Sequence, residues 1–367
     1  MKSGSTIFDA RPTQNEHRHR GIGRYTAGLA REIARLDPSV VFLVHGDRPS
    51  AVDEIGARRS VSRRPHVLRY HLGWLADEVL IPMVARRQGW RLFHATDPEG
   101  IPNPRRVKTL PTVYDLTPLH DERVWAGLRA DQRLGYRRML TTLRRAERLV
   151  AISAAVRDDL AATLDVPRDR VDVVYPGIDA ADWAPDLGEG IVAERSGVLF
   201  VGAPGENKNI DLLVRSLGTL SPPPILTVAG PWPAEHVRRL EMLARQLRVP
   251  LAARPFLPDD GLRSLYRTAA VTAVPSRIEG FGLPALEAMA SGCPVVVSDA
   301  PALVEVVADA GVVVPRDDEA ALAAAIATVL TDRVEQTRLS KLGLARARTF
   351  DWGVSAAALL RIYEQLT

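Results

Sequence analysis

The sequence is short of several things, and each shortage excludes a class of explanation. It has a single cysteine, Cys293, so no intrachain disulfide can form, and the chain fits a reducing compartment. Lying between Gly292 and a strand-like apolar run, that cysteine reads as a small buried hydrophobe. Lysine is scarce: Lys2, Lys108, Lys208 and Lys341 are the only ones, and the remaining positive charge is arginine. No block of five like charges occurs and the formal net charge is +4, so nothing marks a nucleic-acid surface. The arginine pairs Arg58-Arg59, Arg63-Arg64 and Arg137-Arg138 leave room for a basic face that meets an anionic membrane. No apolar run supplies the ~18 residues that a membrane helix needs, and Met1 to Thr6 lack the apolar core of a signal peptide. The expected location is the cytoplasm, with peripheral contact at the inner membrane face as its furthest extension.

Chemical motifs are missing too. There is no Asp-x-Asp pair to hold a metal–diphosphate complex and no Cys/His cluster, so neither a metal nor any other cofactor is expected. No Gly-x-Ser-x-Gly and no Gly-x4-Gly-Lys-Ser/Thr occurs, which argues against a hydrolase elbow and a P-loop.

What is present is a regular alternation of apolar strands with amphipathic helices over 367 residues. That length suits two domains of ordinary size, and the alternation argues for parallel sheets covered on both faces. In the first half, strands are predicted at Ser5 to Asp9, Val40 to His45, Val67 to Tyr70, Arg91 to His94, Thr109 to Tyr114, Leu149 to Ile152 and Val171 to Tyr175. Helices are predicted from Gly21, over Trp74 to Arg87 and over Asp131 to Arg145. The second half is cleaner, with six strands from Val198 to Val314 separated by helices. The expected division is residues 1–176, a linker over 177–195 containing Pro185, Gly188 and Gly190, a second domain over 196–350, and a final amphipathic helix within 351–367.

One stretch organises the rest: Pro275-Ser276-Arg277-Ile278-Glu279-Gly280-Phe281-Gly282-Leu283-Pro284-Ala285-Leu286-Glu287. A buried strand ends at Pro275, a glycine loop follows, and Pro284 stands in the first turn of a helix, where its missing N–H costs nothing. Amides at such a helix start favour an anion, and Gly280 and Gly282 let a ligand approach the main chain. Glu279 and Glu287 flank the same place. Phosphate does not call for carboxylates, but sugar hydroxyls do, so the combination points to a sugar that carries phosphate. A second loop, Gly202-Ala203-Pro204-Gly205-Glu206-Asn207-Lys208, follows the first strand of the second half. It offers Lys208 as a compact cation at a strand's carboxyl end, where parallel sheets bind ligands.

The pattern Glu279-x7-Glu287 with Glu-Gly-Phe-Gly-Leu-Pro inside it resembles the signature of retaining glycosyltransferases of family four, which have the GT-B architecture. The resemblance runs most clearly from about Val198 to Leu330. It implies two Rossmann-like, doubly wound parallel-sheet α/β domains facing a cleft, the terminal helix crossing back to the first. It also implies transfer of a hexose from a nucleotide-diphosphate sugar to a hydroxyl acceptor: a sugar, a lipid-linked sugar or a natural product. Glu279 and the amides of Phe281, Gly282 and Leu283 would hold the sugar and phosphate, and Glu287 the ribose. Lys208, with Gly202 and Asn207 beside it, would meet the departing diphosphate. Gly230, Phe256 and Leu257 fall in the loops around the base. In the first half, Gly21 and Gly23 match the family's glycine loop against the donor phosphate. Asp97, Asp115 and His120 fall on the acceptor side, Asp115 being also a candidate catalytic group. The chain departs from the family twice: no arginine accompanies Lys208, Ala203 and Asn207 standing in the expected places, and Thr96 and Tyr114 stand where many relatives have histidine. The stretches around Gly21 and Asp115 look most like relatives that use GDP-mannose, and the arginine- and alanine-rich composition suggests a GC-rich bacterium.

Other readings compete. A sugar epimerase, a phosphorylase or an idle sugar-binding protein could share the architecture. A nicotinamide-dependent oxidoreductase is disfavoured, because about ten polar residues separate the first strand from Gly21 where a dinucleotide turn is immediate.

Overall fold

The computed structural model describes residues 6–14, 21–46, 50, 52–53, 57, 59–62, 73–96, 101–102, 107–185, 195–254 and 257–367, with backbone alone at 59–62 and 73–78. The chain divides into two units, one made of Met1–Gly177 with Asp351–Thr367, the other of Ile178–Phe350.

The first unit has seven strands: β1 (Thr6–Asp9), β2 (Val41–His45), β3 (Arg59–Ser62), β4 (Leu92–Ala95), β5 (Lys108–Val113), β6 (Leu149–Ala151) and β7 (Val171–Val173). They form one parallel sheet in the order β3-β2-β1-β4-β5-β6-β7. The second unit has six: β8 (Ser196–Val201), β9 (Leu226–Ala229), β10 (Leu251–Arg254), β11 (Ala269–Val274), β12 (Val295–Ser298) and β13 (Val312–Val314). Their order is β10-β9-β8-β11-β12-β13, again all parallel. Both sheets thus reverse direction beside their first strand, between β1 and β4 and between β8 and β11. That is where a doubly wound sheet opens a crevice at its strands' carboxyl ends.

Burial explains why these segments are strands. All six residues of β11 and all four of β12 are buried, as expected of strands covered on both faces. The helices Ile210–Gly218 and Glu319–Thr331 close one face of the second sheet with Leu213, Val214, Leu217, Leu322, Ile326 and Val329 in a single core. Cys293 lies in this unit, free and fully buried, its thiol pushed up by desolvation.

The last helix, Trp352–Leu366, packs on Gly21–Leu36 inside the first unit. A Cβ at Gly28 would lie 2.4 Å from the Trp352 ring, so the close approach requires glycine. A buried polar chain fixes the same helix. The Tyr363 hydroxyl lies 2.5 Å from His94 Nδ1, and His94 Nε2 lies 2.7 Å from Thr112 Oγ1.

The structure departs from the sequence reading at an edge strand and at several helices, among them the unpredicted short helices Thr117–His120, Glu122–Gly127 and, inside the expected linker, Ala180–Trp183. The strand that pairs with β2 is Arg59–Ser62; its polar composition hid it, and the predicted strand at Val67 to Tyr70 lies outside the described residues. A helix over Ala154–Leu164 was also missed, although Ser153 caps it and Val156, Leu160 and Leu164 repeat every four residues on its buried side.

Candidate functional site

The loops after β8 and β11 meet at the switch point of the second sheet. After β8 the chain bends at Gly202 and makes a short 3-10 turn over Glu206–Lys208, and then Asn209 takes a left-handed conformation before the helix Ile210–Gly218. After β11 it runs through Ser276 to Glu279 and reaches Gly282, the N-cap of the helix Leu283–Ala290. Hydrogen bonds tie the loops together, among them one from the Arg277 amide to the Asn207 carbonyl at 2.7 Å and one from Asn207 Nδ2 to the Ile278 carbonyl at 3.4 Å. This brings Lys208 Nζ to 2.6 Å from Glu279 Oε1. Ser276 Oγ donates to the same carboxylate oxygen at 2.9 Å. The Ser276 carbonyl in turn accepts from Ser298 Oγ at the end of β12.

The Lys208 and Glu279 side chains are 26% and 10% exposed, so the pair is desolvated but reachable, unlike a surface ion pair. The helix after Glu279 begins without a side-chain cap, and Pro284 occupies its first turn. Gly282 has φ of +102°, and a Cβ there would lie 2.5 Å from Leu303, so only glycine supports this entry. The arrangement therefore combines a helix N-terminus, one cation and one oriented carboxylate at a single place. It can hold an anion and accept hydrogen bonds from hydroxyls beside it.

A second layer holds these loops. Asp317, after β13, accepts from Arg277 Nε at 2.7 Å and from Asn209 Nδ2 at 3.0 Å. The Arg277 guanidinium holds the Asp317 carboxyl below the usual carboxylate range. Arg277 also donates to the Glu206 carbonyl at 3.1 Å. Arg316 spans Asp299 at 2.6 Å and the Arg277 carbonyl at 3.3 Å. One carboxylate thereby links the ends of β8, β11 and β13. Sequence reasoning missed Asp317, Ser276 and this network; the polar run Pro315-Arg316-Asp317-Asp318 straight after a strand was the available signal.

Glu287 is placed differently from Glu279. It is 5% exposed on the buried face of its helix, and its Oε2 accepts from the Tyr266 hydroxyl at 2.9 Å. Phe281 is buried and meets Phe350 edge-on, with ring centroids 5.5 Å apart. Gly280 is buried, and Leu283 is half-buried at the helix start. The strand-end loops continue in series toward β10. The Gly202 amide donates to the Ala229 carbonyl at 3.0 Å, Trp232 Nε1 donates to the Gly202 carbonyl at 2.7 Å, and the Gly230 amide donates to the Arg254 carbonyl at 3.2 Å. A Cβ at Gly230, whose φ is +144°, would fall 2.2 Å from the Gly202 carbonyl oxygen. Leu257 follows at the edge of this row and is half-buried; Phe256 lies outside the described residues.

In the first unit, Gly21 and Gly23 lie in the first turn of the helix Gly21–Leu36, Gly21 exposed and Gly23 buried. Asp115 is exposed just after β5, and its carboxylate accepts from the Thr117 amide at 2.9 Å. His120 Nε2 sits 2.8 Å from Asp159 Oδ1. Asp97 lies outside the described residues. Among the described residues, no cluster of three or more His, Cys, Asp or Glu could hold a metal ion, and no helix is long and apolar enough to cross a membrane.

Comparisons with known proteins bear on the family and the fold. Residues 19–182 match the family described as Glycosyltransferase Family 4, and residues 188–345 match Glycosyl transferases group 1. A D-inositol 3-phosphate glycosyltransferase of Xylanimonas cellulosilytica is 35% identical over 237 residues. That match takes in 60% of this chain and 57% of the relative, so the chain spans less than two thirds of the relative's length. Among solved structures, the sucrose-phosphate synthase of Thermosynechococcus elongatus superposes with a TM-score of 0.78 at 19% identity, covering 98% of both chains. HepE of Anabaena, solved in complex with UDP-glucose, gives 0.74 at 17% identity, covering 98% of this chain and 99% of its own.

Proposed function

The chain belongs to glycosyltransferase family four and has the GT-B fold of two Rossmann-like units, and from that premise we propose that it transfers a hexose from a nucleotide-diphosphate sugar to a hydroxyl acceptor, with retention of configuration. The observation that carries this reading is the contact between Lys208 and Glu279 at 2.6 Å beside the uncapped start of Leu283–Ala290. A cation, helix-start amides and a carboxylate at one crevice suit a ligand with both a diphosphate and vicinal hydroxyls.

Each group then has a role. As the glycosidic C–O bond breaks, its electron pair goes to the diphosphate, which already carries two negative charges and gains a third, and Lys208 with the amides of Phe281, Gly282 and Leu283 stabilises that charge. The sugar hydroxyls donate to Glu279, which Ser276 orients. Glu287 takes ribose hydroxyls along the small edge that it leaves at the surface. The Gly202–Gly230 row, packed backbone against backbone, forms the floor toward the base. Neither a metal nor a cofactor is needed for this charge balance. Asp97, Asp115 and His120 of the first unit are assigned to the acceptor.

The base and the sugar of the donor follow from resemblance: GDP-mannose from the stretches around Gly21 and Asp115, and UDP-glucose from the ligand of the Anabaena neighbour. A thermal-shift screen of UDP-, GDP- and dTDP-sugars separates them, because a ligand that binds the native state alone raises the melting temperature. One nucleotide sugar is expected to raise it, and that compound is expected to release its nucleoside diphosphate when an acceptor is supplied, in the presence of EDTA. Release without any acceptor would favour an epimerase or hydrolase reading. No shift with any nucleotide sugar would sink the donor assignment.

A further inference from the structure

The two carboxylates of the second unit are held in opposite ways. Glu279 lies in a loop and meets Lys208 and Ser276. Glu287 lies on a helix, is almost wholly buried, and takes a hydroxyl from another helix: Tyr266, in the last turn of Asp259–Thr268, donates to its Oε2 at 2.9 Å. Tyr266 is itself fully buried, and its ring lies against that of Trp183 with centroids 5.8 Å apart. The surroundings of this bond are tied down. Arg195 Nη1 donates to the Tyr266 and Ala269 carbonyls at 3.0 and 3.2 Å, and its Nη2 donates to the Ser291 carbonyl at 3.1 Å, just past the helix that carries Glu287. One guanidinium thus clips together the ends of the two helices that the Tyr266–Glu287 bond spans. Next to Tyr266 in the chain, Arg267 Nη2 donates to the Asp182 and Ala184 carbonyls at 3.1 and 2.6 Å, which fixes the short helix Ala180–Trp183 beside the Tyr266 ring.

Packing alone does not call for the phenol. A phenylalanine would fill the same place against Trp183 and would leave no buried hydroxyl to satisfy. What the hydroxyl adds is a fixed donor to a carboxylate with little water around it. A carboxylate held from a second, rigid element keeps one direction instead of sampling several. The acceptor positions of Glu287 that do not face Tyr266 are then aimed by the frame of the two helices.

We infer that Tyr266 is a positioning residue for the ribose: by holding Glu287 it makes the site choose a ribonucleotide over its deoxy counterpart. The inference rests on the reading that Glu287 accepts ribose hydroxyls. A site built to bond a hydroxyl rejects the analogue that lacks it, because its buried acceptor is left without a donor. Once Glu287 can turn away toward water, that penalty lapses along with the bond.

Calorimetry of the full chain with GDP and UDP and with their 2′-deoxy and 3′-deoxy counterparts tests it. The unaltered chain is expected to bind the ribonucleotide at least about tenfold more tightly than one of its deoxy forms, the scale of one bond to a charged group. Tyr266→Phe is expected to weaken the ribonucleotide about fivefold and the deoxy form less than about twofold, so that most of the preference disappears. In a Glu287→Gln background the same change is expected to add less than about twofold, because the two residues act as a unit. Circular dichroism and melting show whether the variants fold. Should Tyr266→Phe melt below the assay temperature, Trp183→Leu, which keeps the hydroxyl but removes the ring behind it, is measured in its place and is expected to cut the preference about threefold. Equal weakening of the ribose and deoxy forms, or a preference lost in Glu287→Gln but kept in Tyr266→Phe or its substitute, would overturn the positioning role and leave Glu287 at the ribose. A preference kept in Glu287→Gln, or absent from the unaltered chain, would overturn both, as would tighter binding of dTDP than of either ribonucleotide.

Discussion

The two sheets share one strand order up to their sixth strand, yet their switch points are built for different purposes. At the second, between β8 and β11, Lys208 and Glu279 face each other with 26% and 10% of their side chains exposed. At the first, between β1 and β4, the corresponding charges are sealed. Arg11 and Asp9 form an ion pair at 2.7 Å with both side chains fully buried. Thr96 Oγ1, at the end of β4, donates to the Asp9 carbonyl, and Tyr114 donates to the Thr96 carbonyl at 2.9 Å. Close by, His94 is buried between Tyr363 and Thr112. Strand order fixes where a crevice opens, but side chains decide whether polar groups there serve a ligand or the fold. The same contrast gives Thr96 and Tyr114 a place: their hydroxyls close the first switch point.

The largest expected effect tests the open site. Glu279→Ala removes the carboxylate that both Lys208 and Ser276 contact. Turnover of the preferred nucleotide sugar is expected to fall by at least about a hundredfold, the scale of losing a preorganised polar group, with melting little changed. Full turnover would move the chemistry elsewhere.

The next tests the sealed site. Arg11→Leu leaves the Asp9 carboxylate buried without its cation, which costs about 3–5 kcal/mol. Hydrogen exchange of β1 and β4 amides is expected to accelerate accordingly, while β8 and β11 keep their protection and the donor affinity holds. An unaltered first sheet would mean that the Asp9–Arg11 pair contributes nothing to it.

A third effect depends on pH. Burial lowers His94 to about 3, overriding the opposing pull of Asp9, whereas an unfolded histidine titrates near 6.5. The folded state therefore binds the His94 proton more weakly than the unfolded state does. Its contribution to stability is complete above about pH 6.5 and is lost as pH falls toward about 3, at roughly 1.4 kcal/mol per pH unit. His94→Gln is expected to flatten this slope in chemical denaturation between pH 7 and 4.5, at some cost in stability at neutral pH. An equal slope in the variant would assign the acid sensitivity to other groups.

How much of this was legible in the sequence follows the same divide. The second unit's central strands β11 and β12 are apolar on both faces, its elements are set off by Gly, Pro or Ser, and β10 and the helices Asp259–Thr268 and Leu283–Ala290 were read to the residue. The first unit hides a polar edge strand, Arg59–Ser62, and a helix, Ala154–Leu164, whose polar exposed side blurs its period. At the site, Glu279 and Lys208 were legible because local grammar fixes them: strand, glycine loop, helix start. Tyr266, Asp317 and Ser298 act through contacts 21 or more residues away in the chain, and no local pattern carries such information.

The smallest effect separates a ligand site from a plain ion pair at the second switch point. Lys208→Ala removes the cation, but Glu279 keeps its bond from Ser276 and its remaining exposure to water, so melting is expected to change little. Nucleoside diphosphate affinity by calorimetry is expected to fall by about tenfold, the scale of one charge-assisted contact. Because Ala203 and Asn207 supply no second cation in that loop, and Arg277 is engaged by Asp317 and the Glu206 carbonyl, little stands ready to compensate. An unchanged affinity would reduce Lys208–Glu279 to a structural pair like Asp9–Arg11, and the contrast between the two switch points would be one of exposure alone.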